Sequence, residues 1–143
     1  MFDRVDILEQ CVKYVDEARL FVNSERVEHY FAQGLQDFEP EPGRYTCIWV
    51  QWVLSHLTDE DLISFLVRMQ AGLAPGGLIV VKENMKKNGF MLHKDDFSVT
   101  RSEGMFRTAF AAAGLEVLRE EYQRHFPQDL FKVKFFALRP RVV

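Results

Sequence analysis

The apolar run at residues 78–81, Leu-Ile-Val-Val, constrains the fold of this chain more than any other feature. Strands covered on both faces carry such continuous runs, whereas half-exposed strands alternate apolar with polar residues. Helices on both faces of a mostly parallel sheet provide that cover. The run, continued by Lys82, therefore predicts an inner strand of an α/β sheet, with Glu83 and Asn84 at its carboxyl end.

Strand and helix patterns alternate along the rest of the chain. Thr58 and the three acids after it are typical of a helix start, since Thr accepts a backbone N–H and acids favour the positive end of the helix dipole. Residues 74–77, Ala-Pro-Gly-Gly, are typical of a helix end followed by a turn. The order of elements predicts an α/β sheet whose last two strands are antiparallel. Strand patterns cover residues 5–9, 27–33, 45–52, 78–82, 115–123 and 133–138, and helical patterns cover residues 10–22, 58–73 and 101–113.

The composition narrows the class of protein. A chain of 143 residues has the usual size of one domain, and its 48% apolar residues and thirteen Phe favour a packed core over disorder. A net charge of −3 gives no strong field for nucleic acid or an anionic membrane, and two cysteines favour a reducing compartment. We therefore expect one soluble domain over residues 1–143, without a direct nucleic-acid partner, a membrane or a metal.

Polar side chains follow the strand predicted at residues 45–52. Ligands of parallel α/β sheets bind outside the carboxyl ends of the strands. Gln51, Trp52 and His56 lie where this strand passes into the next helix, so they are candidates for the rim of an active site. Taken singly, a histidine at this place is more often structural than catalytic, and a tryptophan more often belongs to the core.

Two further segments are candidates for ligand binding. Glu9 ends the first strand, where a carboxylate can accept hydrogen bonds from a ribose; a solvated acid is the alternative. In the loop after the second strand, Leu35 can pack on a purine ring and Gln36 can hydrogen-bond beside it, unless the segment is an ordinary surface loop. Residues 85–98 lack a clean period, which predicts a flap of the type that often carries function.

Several short motifs occur together and in order. They are GLQDF at residues 34–38, IWVQW at 48–52, HLTD at 56–59, KEN at 82–84, DFSVTR at 96–101 and FFAL at 135–138. With them the chain resembles, from about residue 5 to residue 139, the protein N-terminal α-amino methyltransferases, which modify substrates beginning X-Pro-Lys or a close relative. The resemblance implies a Rossmann-like methyltransferase sheet with an antiparallel last strand.

The resemblance also implies S-adenosylmethionine as the cofactor. Glu9 then stands at the position of the ribose-binding acid. Leu35 and Gln36 stand in the loop on the adenine side, and Gln51 lies near the amino-acid end of the cofactor.

The partner implied by the resemblance is the N-terminal segment of a protein substrate. Trp52 then lines the substrate channel, and Asn84 hydrogen-bonds the substrate backbone near its second residue. Three more residues match substrate-binding positions: His93, Ser98 and Phe131.

His56 and Asp96 match the proton-accepting pair of that family. A protein α-amine, with a reference pKa of about 7.7–8.0, is largely an ammonium at neutral pH and lacks the lone pair that attacks a methyl group. His56 can take the proton while Asp96 orients the amine or relays the proton. Considered alone, Asp95 and Asp96 are ordinary solvated loop acids; their place beside the other motifs favours a role at the site.

This sequence departs from the family pattern in two ways. His93 stands where an Asp that contacts the substrate lysine is usual and Lys94 adds an opposing charge, which weakens selectivity for lysine. Phe131 stands where a Tyr is common, so the ring is kept and the hydroxyl is lost. The eight glycines form no Gly-rich cofactor motif after a first strand. The chain is therefore expected to be truncated, lacking the first strand of the fold, its Gly-rich loop and the N-terminal helices.

Two other functions stay open on the sequence. The first is a non-catalytic relative that binds a peptide or a partner subunit without cofactor, which the missing Gly-rich loop favours. The second is a methyltransferase for another amine or a small molecule, against which the combination of Trp52, His56, Asn84 and Asp96 argues. The resemblance implies a nuclear location, with the cytoplasm as the alternative.

Overall fold

The apolar run lies in a long strand, β4 (Leu73–Met85), of a four-stranded sheet. The computed structural model describes residues 2–141. β4 pairs in parallel with β3 (Tyr45–Gln51) and antiparallel with β8 (Lys132–Pro140), which in turn pairs antiparallel with β7 (Leu115–Tyr122). The sheet order is β3-β4-β8-β7. The predicted antiparallel ending is therefore confirmed.

Two helices pack with this sheet, α2 (Asp59–Ala71) and α3 (Glu103–Ala112). α3 meets the sheet through aromatic contacts, since the centres of the Phe106 and Phe110 rings lie 6.4 and 5.2 Å from the centre of the Phe136 ring. No helix within residues 2–141 is long and apolar enough to cross a membrane. The fully buried side chains of this core are Leu54, Leu62, Phe65, Leu66, Met69, Ile79, Val81, Phe106, Phe110, Leu115, Phe136 and Leu138.

The two faces of β4 differ in burial, although the apolar run predicted cover on both. Ile79 and Val81 are fully buried, whereas Val80 between them is partly exposed. Trp49, which is paired with Val80 across β3 and β4, is 54% exposed. The face that carries Ile79 and Val81 is the one that builds the core with α2 and α3.

The boundaries of β4 correct the sequence prediction at both ends. Residues 74–77, predicted as a turn, lie inside the strand, because Tyr45 pairs with Leu73 while Cys47 pairs with Leu78. The extra residues on β4 form a bulge, and Gly76 takes a φ of +77° that suits glycine there. At the other end, pairing with β8 carries the strand through Met85 instead of stopping it at Lys82.

The predicted loop at residues 85–98 contains regular structure as well. A short strand, β5 (Phe90–Leu92), pairs antiparallel with β6 (Val99–Arg101). Together with the residues between them, these two strands form a hairpin that we call the flap.

Residues up to Glu39 form a unit separate from residues 40 onward. The unit contains β1 (Val5–Glu9), α1 (Val12–Val22) and β2 (Val27–Ala32), and β1 pairs in parallel with β2. A parallel pair needs a crossover, which α1 supplies. β1 has the bounds that the sequence predicted, and β2 ends one residue earlier than predicted.

The helix start at Thr58 is confirmed. The Asp61 N–H donates to the Thr58 Oγ1 at 3.1 Å, and three acids occupy the first turn of α2. Thr58 thus caps the helix that supplies a large part of the core.

We expect Thr58→Ala to lower the free energy of unfolding by about 1 kcal/mol, because a backbone N–H of α2 loses its partner. Urea denaturation followed by circular dichroism measures this change. Thr58→Ser keeps a hydroxyl acceptor and is the matched control. A loss in the Ser variant as large as in the Ala variant would contradict the capping role.

Candidate active site

A cavity of about 270 Å³ lies at the carboxyl end of β4, where the strand meets the flap. Glu83 and Asn84 contribute from β4, and most of the other lining residues come from the flap. Of the substrate-binding residues predicted from the sequence, four line this cavity together with the predicted acid Asp96. These residues are Asn84, His93, Ser98 and Phe131.

Hydrogen bonds inside the flap hold His93 in place. Its backbone N–H donates to the Ser98 carbonyl at 2.8 Å, and its Nε2 lies 2.8 Å from the Thr100 Oγ1. Its ring meets the ring of Phe131 edge to face, with the centroids 6.0 Å apart. The His93 side chain therefore forms part of the cavity wall instead of extending into solvent.

Asp96 is held as a carboxylate at the tip of the flap. Its Oδ1 accepts the Ser98 N–H at 2.9 Å. That backbone hydrogen bond is the largest cause that lowers the pKa of Asp96, followed by the Ser98 hydroxyl and by the charges that His56 and His93 can carry. The charge that His56 can carry is a minor cause of the lowered pKa of Asp96, and the role of the two residues as a proton-accepting pair stays a prediction.

His56 lies on a single 3₁₀ turn, Leu54–His56, between β3 and α2. The turn begins just after Trp52, whose φ of +52° is unusual for a bulky residue. The Trp52 N–H donates to the Lys82 carbonyl at 3.1 Å, and the Lys82 Nζ lies 4.4 Å from the centre of the Trp52 ring. Backbone strain of this kind clusters at functional sites. Neither Trp52 nor His56 is among the described residues that line the cavity. The role of Trp52 in a substrate channel therefore stays a prediction.

Three residues predicted to bind the cofactor lie in the unit before Pro40. The Glu9 carboxylate closes β1, and its Oε1 accepts the Cys11 N–H at 2.8 Å. That bond orients the carboxylate and engages one of its two oxygens. Leu35 is partly exposed and Gln36 is exposed, both in the loop after β2.

Gln51 ends β3 in the other unit. Its Oε1 accepts a hydrogen bond from the Trp49 Nε1 at 3.1 Å, which directs its NH₂ group away from that ring. The side chains thus provide an oriented acceptor for ribose hydroxyls at Glu9, an exposed apolar and amide pair in a loop, and an amide donor for a carboxylate at Gln51. Each of these groups, taken by itself, matches the chemistry of one part of an adenosyl amino acid such as S-adenosylmethionine.

Glu83 is a functional candidate that the sequence reasoning missed. It lines the cavity although only 3% of it is exposed. Burial raises its pKa to about 7. Hydrogen bonds from backbone N–H groups and the charge of Arg101 act in the opposite direction; the N–H groups are those of Leu54, Asn84 and Val53. The period of two along β4 could have revealed it, because Glu83 falls on the same face as Ile79 and Val81.

The fold defines the class of protein to which this chain belongs. A solved SAM-dependent methyltransferase from Leishmania major superimposes with a TM-score of 0.94 at 31% sequence identity, covering 97% of this chain and 56% of that one. The chain has the S-adenosylmethionine-dependent methyltransferase fold, as predicted.

The chain belongs to the AdoMet dependent proline di-methyltransferase family, whose model matches residues 1–139. It is 44% identical over 141 residues to N-terminal Xaa-Pro-Lys N-methyltransferase 1 of Danio rerio, covering 97% of this chain and 63% of the relative. It is 45% identical over 142 residues to alpha N-terminal protein methyltransferase 1 of Arabidopsis thaliana, covering 96% of this chain and 51% of the relative. The resemblance seen in the sequence motifs is confirmed, and the chain spans between about half and two thirds of the length of these relatives.

The raised pKa of Glu83 makes stability depend on pH. A carboxyl whose pKa rises from 4.5 to about 7 on folding stabilises the fold below pH 4.5, and that contribution is lost as the pH rises through 7. We expect the loss to reach about 3 kcal/mol in wild type, at about 1.36 kcal/mol per pKa unit.

Glu83→Gln stays neutral at every pH, so the difference in unfolding free energy between it and the wild type should grow between pH 4.5 and 7.5. Urea denaturation at several pH values measures it. A constant difference across this range would show that Glu83 does not titrate as the burial predicts.

Proposed function

We propose that this chain carries the proton-accepting and substrate-binding residues of a protein N-terminal α-amino methyltransferase that acts on chains beginning X-Pro-Lys. The observation that carries the proposal is the Asp96 carboxylate, held by the Ser98 N–H at a cavity that Asn84, His93 and Phe131 also line. Membership in the family over residues 1–139 supports it.

The proposed proton-accepting pair would remove the proton that prevents the substrate amine from reacting. The substrate amine is mostly an ammonium at neutral pH and must lose a proton before it can attack. In the proposal His56 accepts the proton, since the neutral imidazole carries a lone pair on one ring nitrogen. Asp96, whose pKa is lowered, stays a carboxylate that holds the ammonium by charge and then stabilises the imidazolium.

Glu9, Leu35, Gln36 and Gln51 are the residues that would hold the cofactor. When bound, S-adenosylmethionine supplies a methyl group on a positively charged sulfur. The task of the chain is then to place the amine in line with that group, which is mainly a matter of positioning.

The flap is proposed to bind the first residues of the substrate. Asn84 offers both a donor and an acceptor for the substrate backbone at the cavity, and Ser98 and Phe131 form its walls. Asp95 and Asp96 favour a cationic side chain at the third substrate position, whereas His93 and Lys94 oppose it. The chain should therefore tolerate other residues at that position better than a flap containing acids alone.

A non-catalytic role is the alternative that the absence of a Gly-rich run from the sequence raised, and membership in the methyltransferase family argues against it. Titration calorimetry of this chain with S-adenosylmethionine separates the two. Saturable binding is expected for the methyltransferase. No detectable heat up to millimolar cofactor would reject catalysis by this chain and leave peptide binding, which the same titration with an X-Pro-Lys peptide measures.

We expect His56→Ala and Asp96→Ala each to lower kcat on an X-Pro-Lys peptide by about a hundredfold or more, because each removes a partner in proton transfer. Cofactor affinity should change little. Mass spectrometry of the peptide measures turnover. His125→Asn and Asp16→Asn, exposed residues outside the cavity, are matched controls. Near wild-type turnover in both alanine variants would reject the proton-accepting pair.

We also propose a nuclear location, supported only by the resemblance to the family. A fluorescent fusion of the chain, imaged against a nuclear stain, tests it. Exclusion from the nucleus would favour the cytoplasm.

A further inference from the structure

The turn that carries Ser55 and His56 has little stability of its own. It is a single 3₁₀ turn, Leu54–His56, and such short helices have poor hydrogen-bond geometry. Its own backbone bonds are long, with 3.3 Å from the His56 N to the Val53 O and 3.2 Å from the Leu57 N to the Leu54 O. Other parts of the chain must therefore hold it.

The first support comes from β4 through Glu83. The Oε1 of this buried carboxylate accepts the Leu54 N–H at 3.0 Å, so it binds the first residue of the turn. Its Oε2 accepts the N–H of Asn84 at 3.3 Å. The same side chain thus connects the turn to the backbone that carries a second cavity residue.

The second support comes from β6 through Arg101, which is only 3% exposed. Its Nη1 donates to the Leu54 carbonyl at 3.0 Å and its Nη2 donates to the Leu57 carbonyl at 2.6 Å. Its Nε donates to the Asp59 Oδ1 at 2.7 Å, at the start of α2. A guanidinium is suited to this task because its donors have a fixed planar geometry.

We propose that Glu83 and Arg101 form a clamp that holds the turn from both sides, through the N–H and the C=O of Leu54, and thereby fixes the position of His56 at the end of the turn. The proposal rests on the proposed function, in which His56 accepts the proton of the substrate amine. Glu83 and Arg101 are positioning residues in it, since they act on the substrate through His56.

The geometry distinguishes this role from direct proton transfer by Glu83. Both oxygens of Glu83 already accept backbone N–H groups, from Leu54 and from Asn84. A carboxylate so engaged is directed at the backbone, although it also lines the cavity. The ring of His56, in contrast, lies on an exposed residue within electrostatic reach of Asp96.

Amide hydrogen exchange tests the clamp without cofactor or substrate. In Glu83→Ala, protection of the Leu54 amide should fall by at least about tenfold, because a bond to a charged acceptor is lost. Glu83→Gln keeps an acceptor oxygen for Leu54 and loses the second one, so it should restore protection at Leu54 and not at Asn84. Arg101→Met should reduce protection at Leu57, whose N–H donates to the carbonyl that Arg101 holds.

Leu138→Ala is the control for general loss of stability, because Leu138 is fully buried in β8 outside the turn. In Leu138→Ala the amides of Leu54 and Leu57 should lose no more protection from exchange than the amides of the core lose. Unchanged protection at Leu54 in Glu83→Ala, together with unchanged protection at Leu57 in Arg101→Met, would overturn the clamp. Should Glu83→Ala not fold, the contrast between Leu54 and Asn84 in Glu83→Gln decides the matter alone.

Steady-state kinetics with an X-Pro-Lys peptide tests the positioning role. Arg101→Met and Glu83→Ala should lower kcat by about ten- to a hundredfold with little change in KM, since a displaced base slows chemistry more than binding. Glu83→Gln should recover most of the rate. The positioning role would be overturned if Arg101→Met and Glu83→Ala lost amide protection in the turn and yet had a kcat no lower than that of Leu138→Ala. Absence of turnover in the wild type would reject the proposed function, and the exchange measurements would still decide the clamp.

Discussion

The alternation of side chains along β4 is the constraint on which the rest of the unit from residue 40 onward depends. Because successive residues of a strand point to opposite faces, Ile79, Val81 and Glu83 all face the same side of the sheet. The first two anchor the core, and the third carries a carboxylate to the point where the core opens into the cavity. The strand that builds the core thus places a buried acid at the site, and a buried acid must find hydrogen-bond donors.

The donors come from backbone because the nearest lysine is bound elsewhere. Lys134 lies opposite Glu83 in the pairing of β4 with β8, yet its Nζ binds Glu103 at 2.7 Å and Glu120 at 3.1 Å. The hydrogen bond from Lys134 lowers the pKa of Glu103 to about 2, whereas burial raises that of Glu83 to about 7. Of the three acids near Lys134, Glu103 and Glu120 bind its ammonium group, and Glu83, whose pKa is raised to near neutrality, is the one at the cavity.

The proposed chemistry resides on irregular segments that regular structure holds. His56 lies on a turn between β3 and α2, and Asp96 lies at the tip of the flap. Neither segment has long runs of its own hydrogen bonds. The turn is held by the side chains of Glu83 and Arg101, which reach it from β4 and β6, and the Asp96 carboxylate is held by the backbone N–H of Ser98. This arrangement is common in enzymes, where loops supply the reacting groups and the scaffold supplies their precision.

Short-range patterns in the sequence determined the order of strands and helices, the Thr58 cap, the antiparallel ending and the motifs that carry the family resemblance. Those patterns could not decide whether residues 74–77 turn or bulge, since Pro and Gly favour both. The period of two along β4 indicates the face on which Glu83 lies, but it does not identify its neighbours, such as Lys134, which pairs with it from some fifty residues away. Only the tertiary structure brought Leu54 and Arg101 to that acid, because the charge state and the partners of a buried group depend on contacts between residues distant in the chain.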